Sequence, residues 1–227
     1  MIDQQRQKII SFYSQFINIG DLCFDIGANI GNRTSAFIDL GAKVICVEPQ
    51  PTCVEELRKR FVDNSYVTIL ETAVGEKEGY KELAICTNEP SISTMSINWR
   101  QKGRFSKAYT WDKIILVKIT TLDNLIACYG LPMFCKIDVE GFETSVIKGL
   151  SSPIPFISFE FTREFFTDAK ICMNHLLSIG SAIFNVSLGE SMSLLLNNWV
   201  DAETLYKEIE TINDPRLWGD IYVSFKN

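Results

Sequence analysis

The sequence predicts an α/β fold, and three observations carry the prediction. Residues 22–48, LCFDIGANIGNRTSAFIDLGAKVICVE, read as strand, glycine turn, helix, strand and acid, which is a βαβ unit. Apolar strand-like runs then alternate with helix-like segments along the rest of the chain. The length of 227 residues suits one large domain (1–227) whose core needs no disulfide staples.

Ahead of the unit, residues 3–18 place Ile9, Ile10, Phe12, Phe16 and Ile17 at roughly helical spacing. An N-terminal helix is expected there, packed on the sheet or folded over a ligand cleft. Within the unit, Leu22-Cys23-Phe24 forms a strand that ends at Asp25. Gly27 bends the chain without a Cβ clash and lets a ligand lie against the backbone, while Gly31 lets the helix sit close to the strand. Ala28 and Asn29 complete the turn. Thr34, Phe37, Ile38 and Leu40 give the helix a partly apolar face, and Gly41 ends it. Val44–Val47 is the second strand. Glu48 at its tip can accept hydrogen bonds from both hydroxyls of a ribose, so an adenosine-containing ligand is expected.

The acid ahead of the glycines narrows that ligand. A dinucleotide would place a pyrophosphate at the helix N-terminus, where Asp25 would repel it. The turn is also G-x-x-x-G rather than G-x-G-x-x-G. A carboxylate suits a cationic ligand, such as the amino group of S-adenosylmethionine. A nicotinamide or flavin cofactor is the competing reading, as is a glycine turn with no ligand.

Composition sets outer bounds. The net charge of −6 argues against a general affinity for nucleic-acid backbone. Of seven cysteines, Cys23, Cys46 and Cys135 lie in apolar runs, no C-x-x-C occurs, and His175 is the only histidine, so no structural zinc site is expected. The opening MIDQQRQKII does not read as a signal peptide, and no apolar run is long enough to span a bilayer. A cytoplasmic protein with no membrane partner is the expectation.

After Glu48 and Pro49, a helix is expected from Thr52 to Phe61, with Thr52 and Glu55 resembling a capping box. Residues 67–74 form the third strand, with Ala73 at its exit, where adenine is lined in a class of adenosine-binding sheets. Residues 79–86 read as an added strand. Residues 87–113 interleave Arg100, Lys102, Arg104 and Lys107 with Trp99, Phe105, Tyr109 and Trp111. This segment reads as a substrate loop gripping an anionic or sugar-like small molecule, or as a solvated loop pinned by its aromatics. Strand 114–119 and helix 121–128 follow.

Residues 133–141, MFCKIDVEG, are the next strand. Strand alternation puts Lys136, Asp138 and Glu140 on one face, if the strand stays regular. Three charges beside Gly141 are poor core material, and the C-terminal edge of such a sheet is where ligands bind. A helix from Glu143 to Gly149, a strand ending near Glu160, a helix over 168–179 holding a structural His175, strands at 182–188 and 221–225, and a helix at 201–210 complete the chain.

With these motifs placed, the sequence resembles the FkbM family of S-adenosylmethionine-dependent methyltransferases. The residues that carry the resemblance are Asp25 to Gly31, Val47-Glu48-Pro49, Thr121-Leu122-Asp123, Lys136 to Glu143 and Lys148-Gly149. It covers about residues 20–165, and the KIDVEGFE run is its more specific part. The resemblance implies a class I, Rossmann-like three-layer sandwich with a seven-stranded, mostly parallel sheet and one antiparallel strand. It also implies O-methylation of a sugar or other small metabolite.

On this reading Asp25, Gly27, Ala28, Asn29 and Gly31 seat the methionine end, Glu48 and Pro49 hold the ribose, Ala73 lines the adenine, and Asp138 lies near the sulfonium. A hydroxyl acceptor wants a base, and carboxylates are the candidates: Asp138 first, then Glu140 and Glu160. Glu140 could instead pair with Lys136, and Glu143 could favour its helix N-terminus. A magnesium-assisted variant would use Asp138 and Glu160 as oxygen ligands, with no third ligand identifiable. A non-catalytic adenosylmethionine-binding module and a nicotinamide-dependent oxidoreductase remain as alternatives.

Overall fold

A computed structural model describes residues 2–225. Ten strands form two sheets. The larger holds β1 (Leu22–Ile26), β2 (Lys43–Val47), β3 (Val67–Leu70), β7 (Phe134–Ile137), β8 (Phe156–Thr162), β9 (Ala182–Leu188) and β10 (Trp218–Phe225), in the order β3-β2-β1-β7-β8-β10-β9. β10 is antiparallel to both its neighbours, and the pairs among β3, β2, β1, β7 and β8 are parallel. The smaller sheet is β4 (Ala73–Val74), β6 (Lys113–Thr120) and β5 (Gly79–Ile85), in that order.

The central strands are largely apolar because both faces are covered, with Asp25 on β1 and Lys136 on β7 as buried charged exceptions. Successive residues enter opposite layers. Phe24, Ile45 and Cys135 join the core made with α5 (Leu122–Tyr129), α6 (Glu143–Lys148), α7 (Phe166–Ile179) and α8 (Ala202–Thr211). Cys23, Val44 and Phe134 join the other, with α1 (Ile2–Tyr13) and α2 (Asn32–Asp39). That second layer is aromatic: Tyr13 meets Phe37 edge-on at 4.9 Å between ring centroids, and Phe16 stacks on Tyr222 at 5.3 Å. α1 thus packs on the sheet, while its Gln5, Arg6 and Ile9 also line a cleft.

Several expected boundaries move. The N-terminal helix ends at Tyr13 rather than 18, although Phe16 and Ile17 stay buried. The strand expected over 67–74 is two: β3 pairs with β2, and then Ala73 and Val74 leave to pair with β6. α3 (Pro51–Arg60) starts one residue before Thr52, with Gln50 as an N-cap that makes no side-chain bond, so no capping box forms. A Cβ at Gly31 would strike Leu57 and Phe61 of the α3 region, so the approach this glycine allows is to those side chains.

The chain moves outward from β1 to β3, then returns to place β7 on the other side of β1. A crevice opens at the carboxyl ends of strands at such a switch point. Here the two ends are in direct contact. The Asp138 N–H donates to the Ile26 carbonyl at 3.0 Å, and Gly27 N–H donates to Val47 at 2.9 Å. Gly27 has φ 81°, and a Cβ on it would overlap the Asp138 carbonyl oxygen.

Gly20, with φ 87° and nothing near its missing Cβ, provides a control. Gly20→Ala is expected to cost only the about 1–2 kcal/mol of left-handed backbone. Gly27→Ala must also displace Asp138 and is expected to lose about 3 kcal/mol or more. Urea unfolding of both variants checks this, and equal losses would show that the contact carries no load.

Candidate active site

The crevice floor is set by Glu48, at the tip of β2 and 2% exposed. One carboxylate oxygen accepts the Gln50 N–H and the other the Asn29 N–H, both at 2.9 Å. Asn29 can make its bond because it adopts φ 51°, a left-handed conformation that asparagine tolerates. Each carboxylate oxygen keeps a second lone pair. Burial pushes the Glu48 carboxyl up to about 7, against the pull of the Gln50 and Asn29 amides. Glu48 lines a slot with Ile26, Val47, Pro49, Ala73 and Met95.

Asp25 is also buried, and accepts a hydrogen bond from Thr34 Oγ1 at 2.5 Å. Burial raises its pKa, opposed by Lys136 and Thr34. Together with Gly27, Ala28 and Asn29 it borders a wider cleft toward α1 and α2.

β7 ends at Ile137, so the regular strand expected through Gly141 does not exist. Asp138, Val139 and Glu140 form a loop in which Glu140 has φ 54° and Gly141 φ 84°. The loop is held from both sides. Glu143 Oε1 accepts N–H groups from Val139 (3.0 Å) and Gly141 (3.3 Å), and Thr94 Oγ1 donates to the Glu140 carbonyl at 2.6 Å. Glu143 therefore shapes the loop and is not free for chemistry; burial pushes its carboxyl up to about 7.

Lys136 does not pair with Glu140. Its ammonium, on a residue 3% exposed, bonds Asp138 Oδ2 at 2.6 Å. Burial opposes its charge, but the carboxylates of Asp138 and Asp220 outweigh this and raise its pKa. Asp220, on β10, is buried and was not singled out by its sequence; nothing in the residues around it marks it.

Loss of the regular strand nonetheless gathers the expected acids. Carboxylate oxygens of Asp138, Glu140 and Glu160 lie within 4.8 Å of one another. Burial raises the pKa of Glu140 well above normal, and Asp138 and Glu143 add to it. Glu160 is raised likewise, by burial and then by Glu140. Glu140 borders three spaces: the slot beside Glu48, the wide cleft, and a further cavity lined by Trp99, Arg104, Glu160, Arg216 and Trp218. Asp138 borders only the first two.

The basic-aromatic segment 87–113 is largely built into the structure. α4 (Ile97–Lys102) carries Trp99, 2% exposed and packed on Gly141 and Phe165. Trp111 Nε1 donates to the Ile92 carbonyl. Arg104 forms a two-pronged bond to Glu164 and donates to the carbonyls of Arg216 and Leu217. Its guanidinium anchors a wall and is not offered to an anion. His175 bonds the Leu150 carbonyl at 2.9 Å, far in sequence from the acids.

With this geometry in view, comparison with known proteins is informative. The model described as Methyltransferase FkbM domain matches residues 25–184. Precorrin-6y C5,15-methyltransferase from Geobacter metallireducens GS-15 superposes with a TM-score of 0.51 at 10% identity, over 97% of this chain and 86% of that one. A putative rRNA methylase from Clostridium thermocellum gives 0.47 at 11%, over 97% and 96%. Aeropyrum pernix fibrillarin, solved with natively bound S-adenosyl-L-methionine, gives 0.44 at 10%, over 92% and 68%. At 10% identity the first of these speaks to fold alone. Curated proteins give no match.

The raised Glu48 carboxyl has a stability consequence. In the unfolded chain it ionises near 4.5, in the folded one near 7. Between these values the folded protein holds more protons, so its stability is full below about 4.5 and falls as pH rises through 7. For Glu48 alone the fall is of order 1–3 kcal/mol. Urea midpoints of ligand-free protein should decline from pH 5 to 7, and Glu48→Gln should flatten that slope. An unchanged slope would mean the buried carboxyl titrates normally.

Proposed function

The chain belongs to the FkbM family of S-adenosylmethionine-dependent methyltransferases, and on that premise we propose that it methylates a hydroxyl of a sugar or other small metabolite. The observation that carries this reading is the position of Glu140 and Glu160. Glu160 borders a cavity beyond the Glu48 slot, Glu140 borders both spaces, and both acids lie within 4.8 Å of Asp138, which borders the slot. A cofactor side and an acceptor side therefore meet at one group of carboxylates.

The residues on the cofactor side fit the cofactor. Glu48 keeps lone pairs for two ribose hydroxyls, Pro49 and Ala73 wall the slot, and Gly27 offers bare backbone. Asp25 near the end of β1 and the turn of Ala28, Asn29 and Gly31 would take the methionine end. S-adenosylmethionine supplies the methyl on a sulfonium, so the protein's part is alignment and proton handling.

Asp138, tied to Lys136, is placed to serve the cofactor side by charge. The base is then Glu160, with Glu140 beside it. Each binds its proton more tightly than an ordinary carboxyl, which brings it nearer the basicity that hydroxyl activation needs. Glu160 stands on β8, a fixed strand, and faces the acceptor cavity. The acceptor is a small molecule on this reading, and Arg104, one of the cations that suggested an anion grip, is held by Glu164 instead.

The acid group also favours a second reading, in which a magnesium ion assists. Glu140 completes the set that Asp138 and Glu160 alone left short. A hard cation held by three carboxylates would relieve their mutual repulsion and lower the pKa of a nearby hydroxyl.

Three measurements separate these statements. Calorimetry should find adenosylmethionine binding in the wild type and a loss of about tenfold or more in Glu48→Ala; absence of binding to wild type would overturn the methyltransferase reading. Glu160→Gln should keep cofactor affinity and lower turnover about 10²–10⁴-fold, and an unaltered rate would remove Glu160 from the chemistry. Methyl transfer by chelator-treated protein should persist if the carboxylates act alone; a loss restored by magnesium would establish the metal reading.

A further inference from the structure

Arg33 has no place in the reading so far. It stands in the first turn of α2 with a side chain 15% exposed, and its terminal nitrogen donates to Glu190 Oε2 at 2.6 Å. Glu190 follows Gly189 on the loop after β9, and its side chain is 49% exposed. Both residues line the wide cleft with Gly27, Asn29 and Asp138.

The other cations of that cleft are committed. Lys136 bonds Asp138, Arg6 bonds Asp39, and Arg60 bonds the Ile30 carbonyl and the Asn32 side chain. A guanidinium has five N–H donors in a fork that matches a carboxylate two at a time. Glu190 takes a single bond from Arg33. Glu190 is half exposed, so water competes for its carboxylate even though Arg33 is mostly buried.

Asp25 and Asp138 lie at the strand ends of the cleft, with Lys136 paired to Asp138, and Arg33 lies on the helix side, paired to Glu190. Gly31, the N-cap of α2, offers no side chain to the first-turn amides, and that turn holds no acid. The helix end therefore adds positive potential on the Arg33 side. A zwitterion with its ammonium toward the acids and its carboxylate toward Arg33 matches this arrangement.

We propose that Arg33 is the carboxylate anchor for the methionine tail of the cofactor, and that Glu190 is an exchangeable placeholder on its guanidinium. This rests on the methyltransferase reading. Anchoring the tail at its far end restricts the rotatable chain between carboxylate and sulfonium, so Arg33 is a positioning residue for the methyl group.

The test uses two ligands that share the nucleoside. S-adenosylhomocysteine carries the amino-acid tail, and 5′-methylthioadenosine lacks it. By calorimetry, Arg33→Gln should weaken adenosylhomocysteine about tenfold or more and leave methylthioadenosine within about twofold, the noise expected of a distant change. Glu190→Gln keeps Arg33 and removes its rival, so it should tighten adenosylhomocysteine and leave methylthioadenosine unchanged. Equal weakening of both ligands by Arg33→Gln, or no effect on either, would overturn the anchor. So would weaker adenosylhomocysteine binding in Glu190→Gln. If wild type binds both ligands equally well, the anchor alone fails and the cofactor reading stands. If wild type binds neither, the cofactor reading falls and the anchor falls with it.

Discussion

The site depends on how closely two strand ends approach. Gly27, at the exit of β1, lies against the carbonyl of Asp138, at the exit of β7. Only a residue without Cβ fits, and its positive φ is one that glycine adopts freely. That contact fixes the Asp138 loop relative to the turn that carries Ala28 and Asn29. Asn29 in turn holds one oxygen of Glu48. A single steric allowance therefore links the glycine turn, Glu48 and the acid loop.

The loop from Asp138 to Gly141 then has to gather negative charge, and the structure meets the cost in three ways. Lys136 is buried with its ammonium on Asp138. Glu143 shares its charge with two backbone N–H groups. Glu140 and Glu160 retain protons at a pH where free carboxyls would not. Thr94 clamps the Glu140 carbonyl from the small sheet, and Ala84 and Thr94 exchange backbone bonds that fix the clamp. The left-handed Glu140 is a strained residue held by its surroundings on both sides, a pattern that clusters at functional sites.

Much of this was legible because it follows from local chemistry. The βαβ unit, its glycine turn and Glu48 stand next to one another in the chain, so spacing alone places them. The acids at 138, 140 and 160 were legible as a group for a reason that proved different. Strand alternation is the wrong geometry for Glu140, since the strand ends at Ile137. A left-handed turn brings it to Glu160 instead, and no periodicity predicts a positive φ at a glutamate. In the basic-aromatic run the aromatics that pin the segment were legible and the partners of Arg104 were not. Composition marks Arg104 as available, but its partner Glu164 and the carbonyls at 216 and 217 are distant in sequence. Asp220 and Arg33 were invisible for the same reason: each acquires meaning only from residues brought beside it by the sheet order.

The separation of duties among the acids follows from where each is rooted. Asp138 leaves β7 beside β1, so it borders the Glu48 slot and is neutralised by a lysine of its own strand. Glu160 leaves β8, one strand further from β1, and borders the cavity walled by Trp99 and Trp218. Glu140 bridges them from the loop. On the proposed reading, the carboxylate that answers a cation is the ion-paired one, and the carboxyls that take a proton are the crowded, buried ones. Two environments for chemically similar groups, one strand apart, suit the proposed transfer from a cationic donor to a hydroxyl acceptor.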